Sequence, residues 1–250
     1  MDQSAANLTL YLDFGSQPSR AVYSLLAHHS IPFTLIEVKI INNEHKSDYY
    51  AQINPNKKVP AITDVLPNGN TFKLSESHAI MRYLCATREA IPESYYPKGD
   101  IIRRSQIDYY LDWHHGNIRA GNEGYVMNRF IKPFITGRKT DDKVLKESMG
   151  LLKKSMQMLE TYWLRDGQKY LVGDKISIAD LACAAEVGQI GSIEGILEDI
   201  GGFREKYKRV YEWLERIETE IPALGETNFT SNLMLEQFWE MLENKISPKL

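Results

Sequence analysis

Two cysteines in 250 residues, Cys85 and Cys183, are too few and too far apart for a disulfide framework or a four-cysteine zinc site. Neither belongs to a CxxC pair, and both lie in apolar stretches, so they read as buried thiols of a reducing compartment. Apolar runs of membrane-spanning length are lacking. The opening stretch, Met1 to Asn7, is polar and has no basic-then-apolar order of the kind a signal peptide needs. Basic blocks are missing too: Lys and Arg never run longer than a pair, and the net charge is −3, which argues against a nucleic-acid partner. The cytosol is therefore the expected location. Asn7-Leu8-Thr9 and Asn228-Phe229-Thr230 match the N-glycosylation pattern, but without a secretory context they read as chance matches. The ending Pro248-Lys249-Leu250 resembles a peroxisomal address only weakly. What is present is ordinary for a globular protein, and the length fits one large or two small domains with a core that needs no staples.

The first third alternates strand and helix signals. Leu8 to Leu12 is a short β-prone run, broken by Gly15-Ser16-Gln17-Pro18. Ala21, Val22, Leu25 and Leu26 give Arg20 to His29 a helical period, and Pro18 suits a first helical turn, where a missing N–H costs nothing. Phe33 to Ile40 reads as a second strand, Glu44 to Gln52 as a short helix, and Val59 to Ile62 as a third strand. Pro67-Asn68-Gly69-Asn70 is a hairpin turn returning through Thr71 to Leu74. Ser75 to Thr87 reads as a helix with Ile80, Tyr83 and Leu84 on one face. The order is β-α-β-α-β-β-α, with the first two strands parallel across a right-handed crossover and the last two antiparallel. That is an α+β thioredoxin-like domain, over residues 7–88. Ala90 to Asp100, with Pro92 and Pro97, reads as a linker. From residue 98 to 250 the strand signals vanish. Helical periods cover Ile101 to Ala120, Asp142 to Arg165, Ser177 to Gly188, Phe203 to Glu220 and Ser231 to Ile246, separated by glycines and by Pro133 and Pro222. This predicts an all-α second domain.

Four motifs sit on that framework. They are Ser16-Gln17-Pro18-Ser19-Arg20, Asn54-Pro55 with Val59-Pro60, Glu76-Ser77-His78-Ala79-Ile80, and Ser177-Ile178-Ala179-Asp180. In this order and spacing the chain resembles the cytosolic glutathione transferases, and its first motif resembles the theta class. Each motif alone is weak, but the set is specific and spans nearly the whole chain from Leu8. Gly15 departs from the pattern, standing where theta relatives usually carry a bulkier apolar residue.

Ser16 falls at or beside the N-cap of the first helix. Ser is a favoured cap, so a structural role is one reading. The same position presents free N–H groups and partial positive charge to an anion. Lowering a thiol pKa from about 8.5 by roughly two units requires about 2.7 kcal/mol of preference for the thiolate. A hydrogen bond to a charged group contributes roughly 1.5–3 kcal/mol, so one hydroxyl helped by a helix end nearly suffices. Thioredoxin-like redox proteins place a cysteine near this point; a serine there is suited to activating a thiol, not to exchanging a disulfide. Ser19, inside the first turn, is the weaker hydroxyl candidate.

The resemblance assigns the remaining roles. It implies a cis bond before Pro60, with the Val59 backbone pairing the cysteine moiety of glutathione. Glu76 would accept from the γ-glutamyl ammonium, and Ser77 would hold the α-carboxylate, although both also suit a helix start. His45 and Lys58 would bind the glycine carboxylate, Gln17 would line the site, and Asp108 would reach glutathione across a homodimer interface. Asp108, Asp112 and His115 share one helix face, yet no HExxH or cysteine partner supports a metal there. Trp113, His114 and Arg119 are candidates for the pocket of a second, electrophilic substrate, with packing against the first domain an equally good explanation for Trp113. Ser177 and Asp180 form a capping box with a structural role only. The last helix carries Leu233, Leu235, Phe238, Trp239, Leu242 and Ile246; its acidic polar face disfavours a membrane surface, and the resemblance implies a lid over the site.

The expected protein is thus a transferase joining the glutathione thiolate to small hydrophobic electrophiles or reducing organic peroxides. No metal or redox cofactor is implied, and glutathione is the co-substrate. The first alternative is a binding or scaffold protein that kept this fold without catalysis, which intact Ser16, Val59-Pro60 and Glu76-Ser77 argue against. A disulfide oxidoreductase of the glutaredoxin or omega type would need a cysteine near position 16.

Overall fold

The computed structural model describes residues 7–138, 141–190 and 200–246. Four strands form one mixed sheet in the order β2-β1-β3-β4: β1 (Leu8–Leu12), β2 (Thr34–Glu37), β3 (Ala61–Val65) and β4 (Thr71–Ser75). β1 and β2 run parallel, with Leu12 opposite Glu37. β3 lies antiparallel to both β1 and β4, so that Tyr11, Ala61 and Ser75 fall in one row across the sheet. Alternation sorts the side chains by face. Leu8, Leu10 and Leu12 point into a core shared with Leu25 and Leu26 of α1 (Gln17–His28) and with Ile80 and Leu84 of α3 (Ser77–Thr87). Tyr11 and Ala61 point the other way, against Tyr50 of α2 (Asp48–Ile53). Ser47 caps α2 by accepting from the Tyr50 N–H at 3.2 Å.

The expected strand over Phe33–Ile40 is shorter than its apolar run: β2 ends at Glu37, and a 3-10 turn takes Ile40–Asn42. The helix expected from Glu44 begins only at Asp48, after a second 3-10 turn, Glu44–Lys46. The linker is packed, with Ile91 and Tyr95 buried.

In the second half, α4 (Ile101–His114), α5 (Ala120–Val126) and α6 (Lys132–Thr136) follow one another through π turns at His115–Arg119 and Met127–Ile131. The helical path therefore continues past Ala120, its expected end. Gly121 and Gly124 are contact positions, where a Cβ would lie 2.7 Å from the Leu152 backbone nitrogen and 2.8 Å from Ser148 Oγ respectively. α7 (Asp142–Met158) runs into a further π turn, Leu159–Trp163. α8 (Ile178–Ile190) is buried all round, as a central helix must be. Ser177 and Asp180 start it as a capping box: the Ser177 N–H and hydroxyl both donate to Asp180 Oδ2 at 2.9 Å. Asp180 Oδ1 also accepts from the Leu171 N–H and the Trp213 indole, so its carboxylate ties three segments together.

α9 is Lys208–Glu220 and α10 is Pro222–Ile246. Helix was expected from Phe203 and from Ser231; the first starts later and the second earlier. Pro222 was expected to separate helices. It does so, standing at the break after Glu220, and opens α10, where a proline has no N–H to lose. α10 packs on α1 and α8. Of its expected apolar stripe, Leu235 is buried and Leu233 exposed; Phe238, Trp239, Leu242 and Ile246 lie outside the described side chains.

Candidate functional site

The sheet register builds the site. Tyr11, Ala61 and Ser75 sit in one row. Just past that row, at the same end of the sheet, come the Asp13–Ser16 loop after β1, Val59-Pro60 before β3, and Glu76-Ser77 after β4. β2 also ends here, so the turn carrying His45 lies at this end.

Ser16 is the N-cap residue of α1, with extended backbone (φ −89°, ψ 118°). Its hydroxyl makes no capping bond, which leaves it available for a ligand. The loop that carries it is organised by Asp13. The Asp13 carbonyl accepts from the Ser16 N–H at 3.0 Å, Oδ1 accepts from the Gly15 N–H at 2.8 Å, and Oδ2 accepts from the Ile40 N–H at 2.7 Å. Gly15 is therefore held on its backbone despite lacking a side chain. Ser19 is fully buried.

The Val59-Pro60 peptide is cis. The approach to it is fixed by the Lys58 carbonyl, which accepts from the Tyr50 hydroxyl at 2.8 Å and from the Asn54 amide at 2.6 Å. The Lys58 side chain is exposed. Glu76 is the N-cap of α3 at φ 70°, ψ 110°, a left-handed conformation that a glutamate adopts only at a cost of order 1–3 kcal/mol. The strain turns the chain so that an exposed carboxylate and the buried Ser77 both stand at the start of α3, beside its first N–H groups. His45 is half-buried; its Nδ1 has no protein partner, and burial, then Lys46, hold its pKa below the usual histidine value.

Two expected site residues are bonded elsewhere. The Gln17 amide donates to Gln189 Oε1 and accepts from Arg119 Nη1 at 2.8 Å, so this side chain faces the helical domain. Asp108 accepts from Arg82 Nη2 at 2.7 Å and from the Tyr96 hydroxyl at 3.0 Å, with 35% of its side chain exposed. Arg119 itself lies in a polar cluster: it also bonds Glu186 at 2.9 Å and pairs with Glu123 at 3.4 Å. Its pKa is raised, because Glu186 and Glu123 outweigh the burial that would lower it. Beside it, His78 of α3 packs edge-on against His114 of α4 and tilted against His115 of the following π turn, with ring centroids 5.0 and 4.2 Å apart. Trp113 packs in an aromatic group with Tyr110 and Trp163. A cavity of about 950 Å³ lies at the opposite end of the sheet, lined by Leu8, Ile31, Pro32, Asp64, Tyr83 and Arg88, and is remote from Ser16. Sequence reasoning did not single out Asp13 and the histidine stack; the first is a short local pattern, the second joins residues of two domains.

The molecule thus joins a thioredoxin-like sheet domain, with an uncommitted serine at its site end, to an all-helical domain. Residues 6–86 match the family description "Glutathione S-transferase, N-terminal domain", and residues 124–220 match "Glutathione S-transferase, C-terminal domain". The chain is 36% identical over 225 residues to Glutathione S-transferase T1 of Arabidopsis thaliana, covering 88% of this chain and 87% of that one. It is 33% identical to human Glutathione S-transferase theta-1, covering 89% and 85%. The solved structure of human glutathione transferase theta-2 in complex with glutathione superposes with a TM-score of 0.80 at 28% identity, covering 96% of this chain and 98% of that one. The chain belongs to the glutathione S-transferase family, in its theta class, and is an enzyme that conjugates glutathione. Among the described residues, no helix is long and apolar enough to cross a membrane.

Proposed function

We propose that Ser16 donates a hydrogen bond to the glutathione sulfur and holds it as the thiolate that attacks the second substrate. The observation that carries this reading is a serine at a helix N-cap whose hydroxyl makes no capping bond, at the sheet end shared with Val59, Glu76 and Ser77. Glutathione lies along that end. Its cysteine moiety pairs with the Val59 backbone, its ammonium with Glu76, its α-carboxylate with Ser77 and the start of α3, and its glycine carboxylate with His45 and Lys58. The sulfur then displaces a leaving group from a small hydrophobic carbon electrophile, or attacks a peroxide oxygen, breaking the O–O bond to release the alcohol and leaving a glutathione sulfenic acid that a second glutathione converts to the disulfide and water. Human theta-class transferase has been solved with the glutathione conjugate of 1-menaphthyl sulfate, which supports a carbon electrophile with a good leaving group. The working protein in this reading is a cytosolic homodimer. Asp108, partly exposed beside Arg82, is the residue that would reach the partner's glutathione.

An activity panel of haloalkanes, aryl halides, aralkyl sulfates and organic peroxides, run on the wild type and Ser16→Ala, tests this. Ser16→Ala should lose about 10- to 150-fold in turnover while still binding glutathione, since one hydrogen bond to a charged sulfur contributes roughly 1.5–3 kcal/mol. Full turnover by Ser16→Ala would remove Ser16 from the mechanism.

A further inference from the structure

Arg20 lies one turn into α1, four residues after Ser16, and its side chain is wholly shielded from solvent. Its guanidinium gathers three separate parts of the molecule. Nη1 donates to the Phe14 carbonyl and to Ser231 Oγ, both at 2.9 Å; Nη2 donates to the Ala185 carbonyl at 2.9 Å; Nε donates to Asn228 Oδ1 at 3.0 Å. Phe14 belongs to the loop that presents Ser16, Ala185 to α8, and Asn228 and Ser231 to α10. All four acceptors are neutral. The charged groups whose fields reach Arg20 are Glu186, Arg119, Asp13 and Glu218. Burial brings its pKa down to about 10, so it remains a cation at neutral pH.

An unpaired buried cation is a poor way to stabilise a core, where an apolar side chain of similar volume would often do as well. Here every bond it makes serves geometry, and one reaches the carbonyl two residues before Ser16. The approach of α10 is built for this contact. Asn228 also donates to the Ala184 carbonyl at 3.2 Å and to Glu218 Oε1 at 2.8 Å, and Asn232 donates to the Gly188 carbonyl at 3.0 Å. A Cβ at Gly188 would sit 2.1 Å from the Asn228 amide nitrogen, so glycine there is what leaves room for the Asn228 side chain in this position.

We propose that Arg20 is a positioning residue for Ser16, and that Asn228 and Ser231 of α10 set Arg20 in place. The C-terminal helix thereby governs how well the hydroxyl meets the sulfur, in addition to any role in covering the site. This rests on the reading of Ser16 as the thiolate stabiliser.

The test uses the full-length enzyme as wild type, Ser231→Ala, Arg20→Lys and Ser16→Ala. For each, the ultraviolet absorbance of bound glutathione thiolate is titrated against pH, kcat and the glutathione KM are measured, and thermal melting confirms folding. Ser231→Ala should raise the bound-thiol pKa by about 0.5, and Arg20→Lys by about 1, with kcat/KM down about 10-fold. The glutathione KM should stay within about two-fold, because Val59, Glu76 and Ser77 hold the peptide independently of Arg20. A purely structural role would lower the melting temperature without moving the thiol pKa. Folded Ser231→Ala and Arg20→Lys enzymes with the wild-type thiol pKa would overturn the proposal while leaving Ser16 untouched. Where Arg20→Lys does not fold, Ser231→Ala decides alone. Equal thiol pKa values in the wild type and Ser16→Ala would instead mark failure of the Ser16 reading itself, and this proposal falls with it.

Discussion

Asp13 contributes at the scale of a single residue what the loop's own composition denies it. Gly15 leaves the chain before Ser16 with wide backbone freedom, and freezing such a residue costs more entropy than for any other type. The Asp13 carboxylate offsets this by accepting from the Gly15 and Ile40 N–H groups, so one side chain fixes both the serine loop and the segment after β2. Asp13→Ala should therefore keep the fold and lower kcat/KM about 10-fold, read by steady-state kinetics beside a far-UV spectrum; unchanged kcat/KM would show that the loop holds itself. At this scale the sequence was informative where function is local. Ser16, Val59-Pro60, Glu76-Ser77 and the Ser177–Asp180 box are short strings whose geometry follows from the helix start or strand end they occupy. Arg20 was legible only as a letter in a motif, because three of its four acceptors lie 165 to 211 residues away. Gln17 likewise neighbours Ser16 in sequence, yet its amide is bonded 172 residues on, to Gln189.

Among the elements, strands and the first domain's helices were legible because their periods are clean and their breakers sit between them. The helical domain was harder for one physical reason: its glycines and prolines are not all breakers. Gly costs roughly 1 kcal/mol in a helix interior, which reads as a stop when propensity alone is weighed. Gly121 and Gly124 are tolerated because they let α7 approach α5 closely, and the packing gained exceeds that cost. Gly121→Ala would improve propensity but place a Cβ 2.7 and 2.8 Å from the backbone N and Cα of Leu152, neither of which can rotate away. The substitution should destabilise by about 1–3 kcal/mol, lowering the melting temperature by several degrees. A melting temperature equal to or above the wild type would mean that the α5–α7 contact has more room than its backbone distances allow. Pro222 makes the same point at a helix start: its fixed φ opens α10 nine residues before the apolar period becomes visible at Ser231.

Across the whole molecule, the two domains meet through buried polar groups, and this gives the assembled enzyme a pH dependence that neither domain's pattern announces. His78, one residue after Ser77, packs against the rings of His114 and His115 at the interface. Burial, then His115, Arg82 and Arg119, bring the His78 pKa down to about 3. Burial, then His78, Arg119 and His115, hold His114 well below the usual value, and burial lowers His115 as well. In the unfolded chain the imidazoles of His78 and His114 take up protons near pH 6.5, while in the folded protein they stay neutral until much lower pH. The unfolded state then binds more protons, so stability falls as pH drops below about 6.5 and continues to fall towards the folded pKa values. Each fully shielded histidine contributes a slope of up to about 1.4 kcal/mol per pH unit in that window. Urea midpoints measured from neutral pH down to about pH 4.5 should therefore decline, and the decline should be shallower in His78→Gln, which keeps a neutral polar side chain but removes one proton-binding site from the unfolded chain. If His78→Gln follows the wild-type midpoints at every pH, the stack titrates in the folded protein as freely as in the unfolded one, and the acid sensitivity must come from carboxylates instead.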